Sequence, residues 1–173
     1  MLPHISPTGG IHAVLAMLCI VVGAVQLIRP KRGAGHRARG YAYVYAMLVV
    51  DGLALLVHQA TGTFNVLHVG AIANLICLVM AIVPMLCNPR PRIWRHLHYY
   101  WIAWSYVGLI SAGATQLVIR LGPPMTSGQT WTATFVVTVT VSVIGYIVIE
   151  KNRPARGQDP AAAGTIQHDG ARS

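Results

Sequence analysis

The sequence predicts an all-α integral membrane protein, a helical bundle with five transmembrane helices. Apolar residues make up 54% of the 173 residues, and charged residues only 10%. Five apolar stretches are each about 20 residues long, enough to cross roughly 30 Å of hydrocarbon as a helix. Twelve of the 13 Lys and Arg residues fall in three segments, 29–39, 90–95 and 151–172, which alternate with the apolar stretches along the chain. This composition leaves no segment suited to form a soluble core.

The first four predicted spans end where turn-forming residues interrupt the apolar pattern. Pro30 and Gly33 follow the first span, and the turn 61–63 (Thr-Gly-Thr) follows the second. The segment 88–91 (Asn-Pro-Arg-Pro) follows the third, and 122–124 (Gly-Pro-Pro) follows the fourth. The predicted spans are therefore 11–29, 41–60, 66–87, 99–119 and, for the fifth, 131–149.

The fifth span is rich in Val and Thr, residues that favour strands in water. In lipid it is nevertheless expected to be helical, because only helices and closed barrels satisfy the backbone there. After it, residues 152–173 are mainly Pro, Ala, Gly and polar residues, a composition that buries too little apolar surface to become ordered. We expect a transmembrane bundle over 1–151 and a flexible cytoplasmic tail over 152–173.

The basic residues predict the orientation in the membrane. They cluster in 29–39, 90–95 and 151–172, after the first, third and fifth spans, whereas the 120–130 loop carries only Arg120. Lys and Arg in short loops favour the cytoplasmic side, so the amino terminus is expected outside and the carboxyl terminus in the cytoplasm. The first span lacks a basic segment before it and is expected to be retained as a helix of the cell inner (plasma) membrane, not cleaved as a signal peptide.

The formal charge of +9 bears on the partners of the protein. Because the basic residues are juxtamembrane and divided among three segments, anionic lipid headgroups on the cytoplasmic side are the expected partner, and nucleic acid is not. A homo-oligomer or a membrane redox partner remains open. The chain has no nucleophile motif and no Gly-rich phosphate loop, so no hydrolase or transferase activity is expected, and an enzymatic role would be electron transfer at most.

Six histidines fall at two levels of the predicted bundle. The outer level contains His12, His58 and His68, with Gln116 at a similar depth, and the inner level contains His36, His96 and His98. Ionisable side chains at membrane depth usually face a bundle interior or a watery cavity. The grouping therefore suggests sites near both membrane faces.

Three interpretations of these histidines stay open. In the leading one, the protein binds haem b for a redox role, with His12 and His68 as outer ligands and His36 and His98 as inner ligands. The porphyrin would need an apolar slot lined by small residues, for which the sequence offers Gly23, Gly70, Gly108 and Ala112. In the second, His12, His58 and His68 bind one Zn or Cu ion. In the third, the imidazoles only hydrogen-bond to one another and to helix ends.

Asp51 supports a different functional class. It is the one acidic residue within a predicted span, ten residues in and so about 15 Å deep. His58 lies two turns further along the same helix face, and Asn74 in the third span reaches a comparable depth. A small proton-linked transporter or channel-like protein would line its path with these three residues. A further alternative is an accessory subunit whose spans only assemble a larger membrane complex.

Several motifs resemble one family. The run 36–44 (HRARGYAYV), the run 62–68 (GTFNVLH), and His98 followed by 104–112 (WSYVGLISA) are similar to the predicted membrane proteins grouped as domain of unknown function 2306. The resemblance covers roughly 11–121 and leaves the fifth span and tail outside. It implies the membrane fold and the two histidine levels, since His12, His36, His68 and His98 match the histidine positions of the family pattern. Gln116 stands where the family pattern has an acidic residue, and Asp51 where an amide is commoner. The resemblance implies no particular activity.

Overall fold

The computed structural model describes residues 7–29, 33–56, 66–89 and 91–153. These residues form five helices: α1 (Pro7–Ile28), α2 (Gly33–Leu56), α3 (Val66–Leu86), α4 (Trp94–Leu121) and α5 (Ser127–Lys151). Each helix is long and apolar enough to span a membrane. The predicted all-α fold is confirmed, and so is the presence of five helices with the length and apolar character needed to span a membrane.

Four helices begin earlier than the apolar pattern predicted, and α1 does so by four residues, at Pro7 instead of residue 11. α2 begins at Gly33 and α4 at Trp94, not at residues 41 and 99. The added segments carry Arg, His and Ala, which are compatible with a helix although the charged ones are excluded from hydrocarbon. α5 begins at Ser127 instead of 131, because Thr126 and Gln129 form a reciprocal capping box. Hydropathy therefore marks the lipid-crossing part of each helix and not its ends.

Cross-helix hydrogen bonds show that neighbouring helices run antiparallel. His12 near the start of α1 meets Val50 late in α2, and His98 near the start of α4 meets Ala81 late in α3. α1 to α4 form a closed bundle, in which α1 packs against α2 and α4, and α3 packs against α2 and α4. α5 packs mainly against α4.

The bundle has two chemically different ends. One, termed the basic end, carries the described basic residues Arg29, Arg37, Arg39, Arg92, Arg95, Lys151 and Arg153. The other, termed the Arg120 end, carries Arg120 as the only Lys or Arg among the described residues there. The segment 57–65, which contains His58, and residues 154–173 of the predicted tail lie outside the described residues.

Close packing at two glycines holds the helices together. A Cβ on Gly23 would lie 2.5 Å from Cε2 of Tyr106 and 3.1 Å from Cε2 of Tyr43, so α1 approaches α4 and α2 only because that atom is missing. Gly145 on α5 allows Val107 of α4 an equally close approach, because a Cβ on Gly145 would lie 2.5 Å from Cγ2 of Val107. On the outside of the bundle many large apolar side chains are exposed, as expected for surfaces that face lipid.

Candidate functional site

A buried carboxyl group and a buried amide meet at the centre of the bundle. Asp51 of α2 is 5% exposed and Asn74 of α3 is 6% exposed. The Nδ2 group of Asn74 donates a hydrogen bond of 2.9 Å to Oδ2 of Asp51. The sequence matched these residues by depth, and the structure brings their side chains into direct contact. Asp51 is held there because it shares a face of α2 with the buried residues Met47 and Val50.

An amide forms a hydrogen bond with a carboxyl group whether the carboxyl group is ionised or protonated. The N–H of Asn74 donates to a carboxylate, and its Oδ1 is able to accept from a proton carrier such as water or a carboxylic acid. A charged carboxylate at membrane depth is costly, and such groups typically pair or face a watery cavity. The pair is therefore suited to a site at which a proton is bound and released.

Two hydroxyl groups of α4 continue the polar surface from Asn74. A Cβ on Gly108 would lie 3.4 Å from Oδ1 of Asn74, so that oxygen faces α4. Ser111 and Thr115 lie three and seven residues further along, on the same side of the helix. Oδ1 of Asn74, Oγ of Ser111 and Oγ1 of Thr115 are buried and have no hydrogen-bond partner among the described residues. We term Asp51, Asn74, Ser111 and Thr115 the polar strip.

His68 lies at the Arg120 end of this strip. It is 5% exposed and comes six residues before Asn74 on α3. Because α3 and α4 run antiparallel and Asn74 faces Gly108, His68 lies at about the level of Thr115. A buried imidazole thus lies level with the last hydroxyl group of the strip.

On its other side the strip is closed by apolar packing. Cys19, Met47 and Leu78, from three different helices, are completely buried in one hydrophobic cluster. Met47 and Leu78 lie one turn from Asp51 and Asn74 toward the basic end. We term these three residues the apolar layer. Beside this layer, the hydroxyl of Tyr43, which lies one turn before Met47 on α2, hydrogen-bonds to Oγ of Ser105 at 3.1 Å and forms a second closed contact.

Two of the predicted site histidines are anchored on backbone carbonyls. Nδ1 of His12 lies 3.1 Å from the carbonyl oxygen of Val50, and Nδ1 of His98 lies 3.1 Å from that of Ala81. A carbonyl only accepts, so in both residues Nδ1 carries a hydrogen, and in the neutral imidazole Nε2 then carries the lone pair. Backbone anchoring of this kind orients an imidazole whether it binds a proton or a metal.

His36 is held in the opposite tautomer. Nε of Arg39 donates to Oε1 of Gln26, which fixes the orientation of the Gln26 amide. Its Nε2 therefore donates, both to Nδ1 of His36 at 2.7 Å and to the His36 carbonyl at 3.0 Å. A neutral imidazole has one nitrogen lone pair, and in His36 that lone pair accepts the bond from Gln26.

The histidine levels predicted from the sequence correspond to the two ends of the bundle. His12 and His68 lie toward the Arg120 end, and His36 and His98 toward the basic end. Among the described residues, no group of three or more His, Cys, Asp or Glu side chains is placed to hold a metal ion. His58, the third residue of the predicted Zn or Cu site, lies outside the described residues. Gln116 accepts a 3.4 Å bond from Nε of Arg120 at the Arg120 end.

A family match covers nearly the whole helical part of the chain. It spans residues 9–151 and carries the description predicted membrane protein, DUF2306. The chain belongs to the DUF2306 family. Because the match reaches the end of α5, the expectation that the fifth span lies outside the resemblance was wrong. Neither a curated protein nor a solved structure matches the chain significantly.

The sequence left several site residues of this DUF2306 protein unassigned. Tyr43, Ser105 and Ser111 lie within the motifs that resemble the family but were given no functional role of their own, and Thr115 and Gln26 were not singled out. A signal for two of them was present, since Gly108, Ser111 and Thr115 repeat at helical spacing on one side of an apolar helix. The others have no such signal, because their roles depend on contacts between helices.

Proposed function

We propose that this DUF2306 protein is a small proton-linked transporter or channel-like protein in which Asp51 binds the transported proton. The observation that carries the proposal is the Asp51–Asn74 hydrogen bond, buried at the centre of the four-helix bundle. Acidic residues inside membrane spans typically mark ion or proton pathways, because an ionised carboxyl there has a cost of several kcal/mol unless it is compensated. The unpartnered oxygens of the polar strip give this proton a route.

The haem interpretation has weaker support. The pair of haem ligands at the basic end would include His36, whose nitrogen lone pair already accepts the hydrogen bond from Gln26. Two of the glycines considered for a porphyrin slot face other side chains, Gly23 the rings of Tyr106 and Tyr43, and Gly108 the amide of Asn74. A Soret band in the purified protein that His68→Ala removes, while the protein still folds, would support haem over proton transport.

Proton movement is tested directly in reconstituted vesicles. Purified protein is incorporated into liposomes that contain a pH-sensitive dye, and a potassium gradient with valinomycin sets the membrane potential. We expect the internal pH to follow the imposed potential faster than in protein-free liposomes of the same lipid. Equal rates in the two preparations would contradict the proposal.

The orientation proposed for this protein places the basic end in the cytoplasm. The support is the uneven distribution of Lys and Arg between the two ends, which follows the positive-inside bias. We expect reporter fusions at Ser173 and within 30–40 to report the cytoplasm, and a fusion at Gly62 to report the outside. A fusion at Ser173 that reports the outside would contradict this orientation and the number of spans on which it rests.

A further inference from the structure

We propose that a file of water molecules enters the bundle at the Arg120 end, passes Thr115 and Ser111, and stops at the Asp51–Asn74 pair. The apolar layer of Cys19, Met47 and Leu78 separates this water from the basic end. The inference deepens the proposed function, because it assigns the side from which Asp51 exchanges its proton. The water route can also be tested by an experiment that does not depend on proton transport.

The first argument is the state of the hydroxyl groups. Three Thr hydroxyls of α5 donate to the carbonyl four residues earlier: Thr130 to Thr126 at 3.1 Å, Thr132 to Gly128 at 3.0 Å and Thr134 to Thr130 at 2.8 Å. This is the usual way in which a helix satisfies a hydroxyl in an apolar setting. Thr115 is only 2% exposed, yet its hydroxyl has no such bond to a described residue, and the hydroxyl of Ser111 has none either. Their hydroxyls are therefore arranged to bond with something other than their own helix.

The second argument is the chemistry of the unpartnered atoms. Oδ1 of Asn74 is an acceptor, whereas each hydroxyl both donates and accepts. A buried water needs two to four polar partners, and a strip of three such groups along one helix side provides them in succession. The strip ends at the carboxyl group of Asp51, which exchanges protons with water. The arrangement thus suits water more than an apolar ligand.

The third argument is the sidedness of the polar groups. All three unpartnered oxygens lie level with Asp51 or nearer the Arg120 end. Toward the basic end the next side chains are the completely buried residues of the apolar layer, with the Tyr43–Ser105 hydrogen bond beside them. Water therefore has hydrogen-bonding groups on one side of Asp51 and a packed apolar layer on the other.

Cysteine accessibility tests the route. Ser111→Cys and Ser105→Cys are placed singly in full-length protein that carries Cys77→Ser and Cys87→Ser and keeps the buried Cys19. Vesicles are treated with Ag⁺, an ion small enough to follow a file of water, on one side and a thiol scavenger on the other. Protection of each cysteine from later alkylation is read by peptide mass spectrometry. Impermeant labelling of Arg153→Cys gives the orientation, and circular dichroism confirms folding.

We expect Ser111→Cys to be protected when Ag⁺ is added at the Arg120 end and unprotected when it is added at the basic end. Ser105→Cys, three residues from Gly108 toward the basic end and so level with the apolar layer, should be protected from neither end, because Ser105 is completely buried. Absence of protection at Ser111→Cys would overturn the water route. Protection of Ser105→Cys from the Arg120 end would overturn the assignment of the apolar layer as the barrier.

Proton flux gives a second test with a matched control. Thr115→Val removes an unpartnered hydroxyl at nearly constant volume, whereas Thr132→Val removes one already bonded within α5. We expect Thr115→Val to slow the flux several-fold and Thr132→Val to leave it unchanged. If Asp51→Asn abolishes the flux and Thr115→Val does not slow it, the water route is wrong and the proposed function stands. If the unmodified protein carries no flux, the proposed function is wrong and the cysteine experiment still decides the route.

Discussion

Asp51→Asn is expected to reduce proton flux to the rate of protein-free vesicles, the largest functional effect we expect from a single substitution. The amide has nearly the shape of the carboxyl group and no ionisable proton. Its oxygen is still able to accept the 2.9 Å bond from Nδ2 of Asn74, so the contact between α2 and α3 is retained. A tenfold loss corresponds to roughly 1.4 kcal/mol in the barrier for transfer. The measurement is the initial rate of internal pH change at a fixed membrane potential.

Glu150→Gln provides a matched control for this substitution. It makes the same acid-to-amide change at the one other described acidic residue, which lies at the basic end. Glu150 accepts a 2.7 Å hydrogen bond from the Tyr100 hydroxyl and forms a 3.3 Å ion pair with Arg153. We expect this variant to keep its flux, because Glu150 is not on the polar strip. Flux that survives Asp51→Asn, or that falls equally in both variants, would show that Asp51 does not bind the transported proton.

The membrane architecture was predictable because lipid imposes simple rules on a sequence. Apolar length and the placement of basic residues are properties of the chain alone, and they were enough to identify five spanning helices. The pairing of Asp51 with Asn74 was also accessible, since depth follows from counting residues along antiparallel helices at a fixed rise. The early starts of α2 and α4 were not, because a charged helical extension outside the bilayer leaves no hydropathy signal.

The hydrogen-bonding state of each polar residue was not predictable from the sequence. Thr115 and Thr132 are the same residue type in apolar helices, yet only the hydroxyl of Thr132 bonds back to its own helix. The tautomer of His36 depends on Gln26, whose orientation is in turn fixed by Arg39. Such choices follow from three-dimensional contacts between helices. They decide which residues are available for chemistry and which only hold the bundle together.

Gly23→Ala is expected to give the largest loss of stability among simple glycine substitutions in the four-helix bundle. Its methyl group would overlap the ring of Tyr106 and press on Tyr43. Neither ring moves away easily, since the Tyr106 hydroxyl donates to the Ile20 carbonyl at 3.2 Å and the Tyr43 hydroxyl bonds to Ser105 at 3.1 Å. Overpacking of this kind typically lowers the free energy of unfolding by ~1–3 kcal/mol. Thermal unfolding in detergent, followed by tryptophan fluorescence, measures the effect.

Gly70→Ala separates this clash from the general effect of placing alanine in a helix. A Cβ on Gly70 meets nothing within 4 Å, so the change brings the helix preference of alanine, up to about 1 kcal/mol, without a clash. We expect Gly70→Ala to leave the unfolding temperature unchanged or slightly raised and Gly23→Ala to lower it. Adding Tyr106→Val to Gly23→Ala should cost less than the two single changes together, because the smaller side chain relieves the overlap. Strict additivity, or a Gly23→Ala protein as stable as Gly70→Ala, would show that α1 does not depend on this glycine to approach α4.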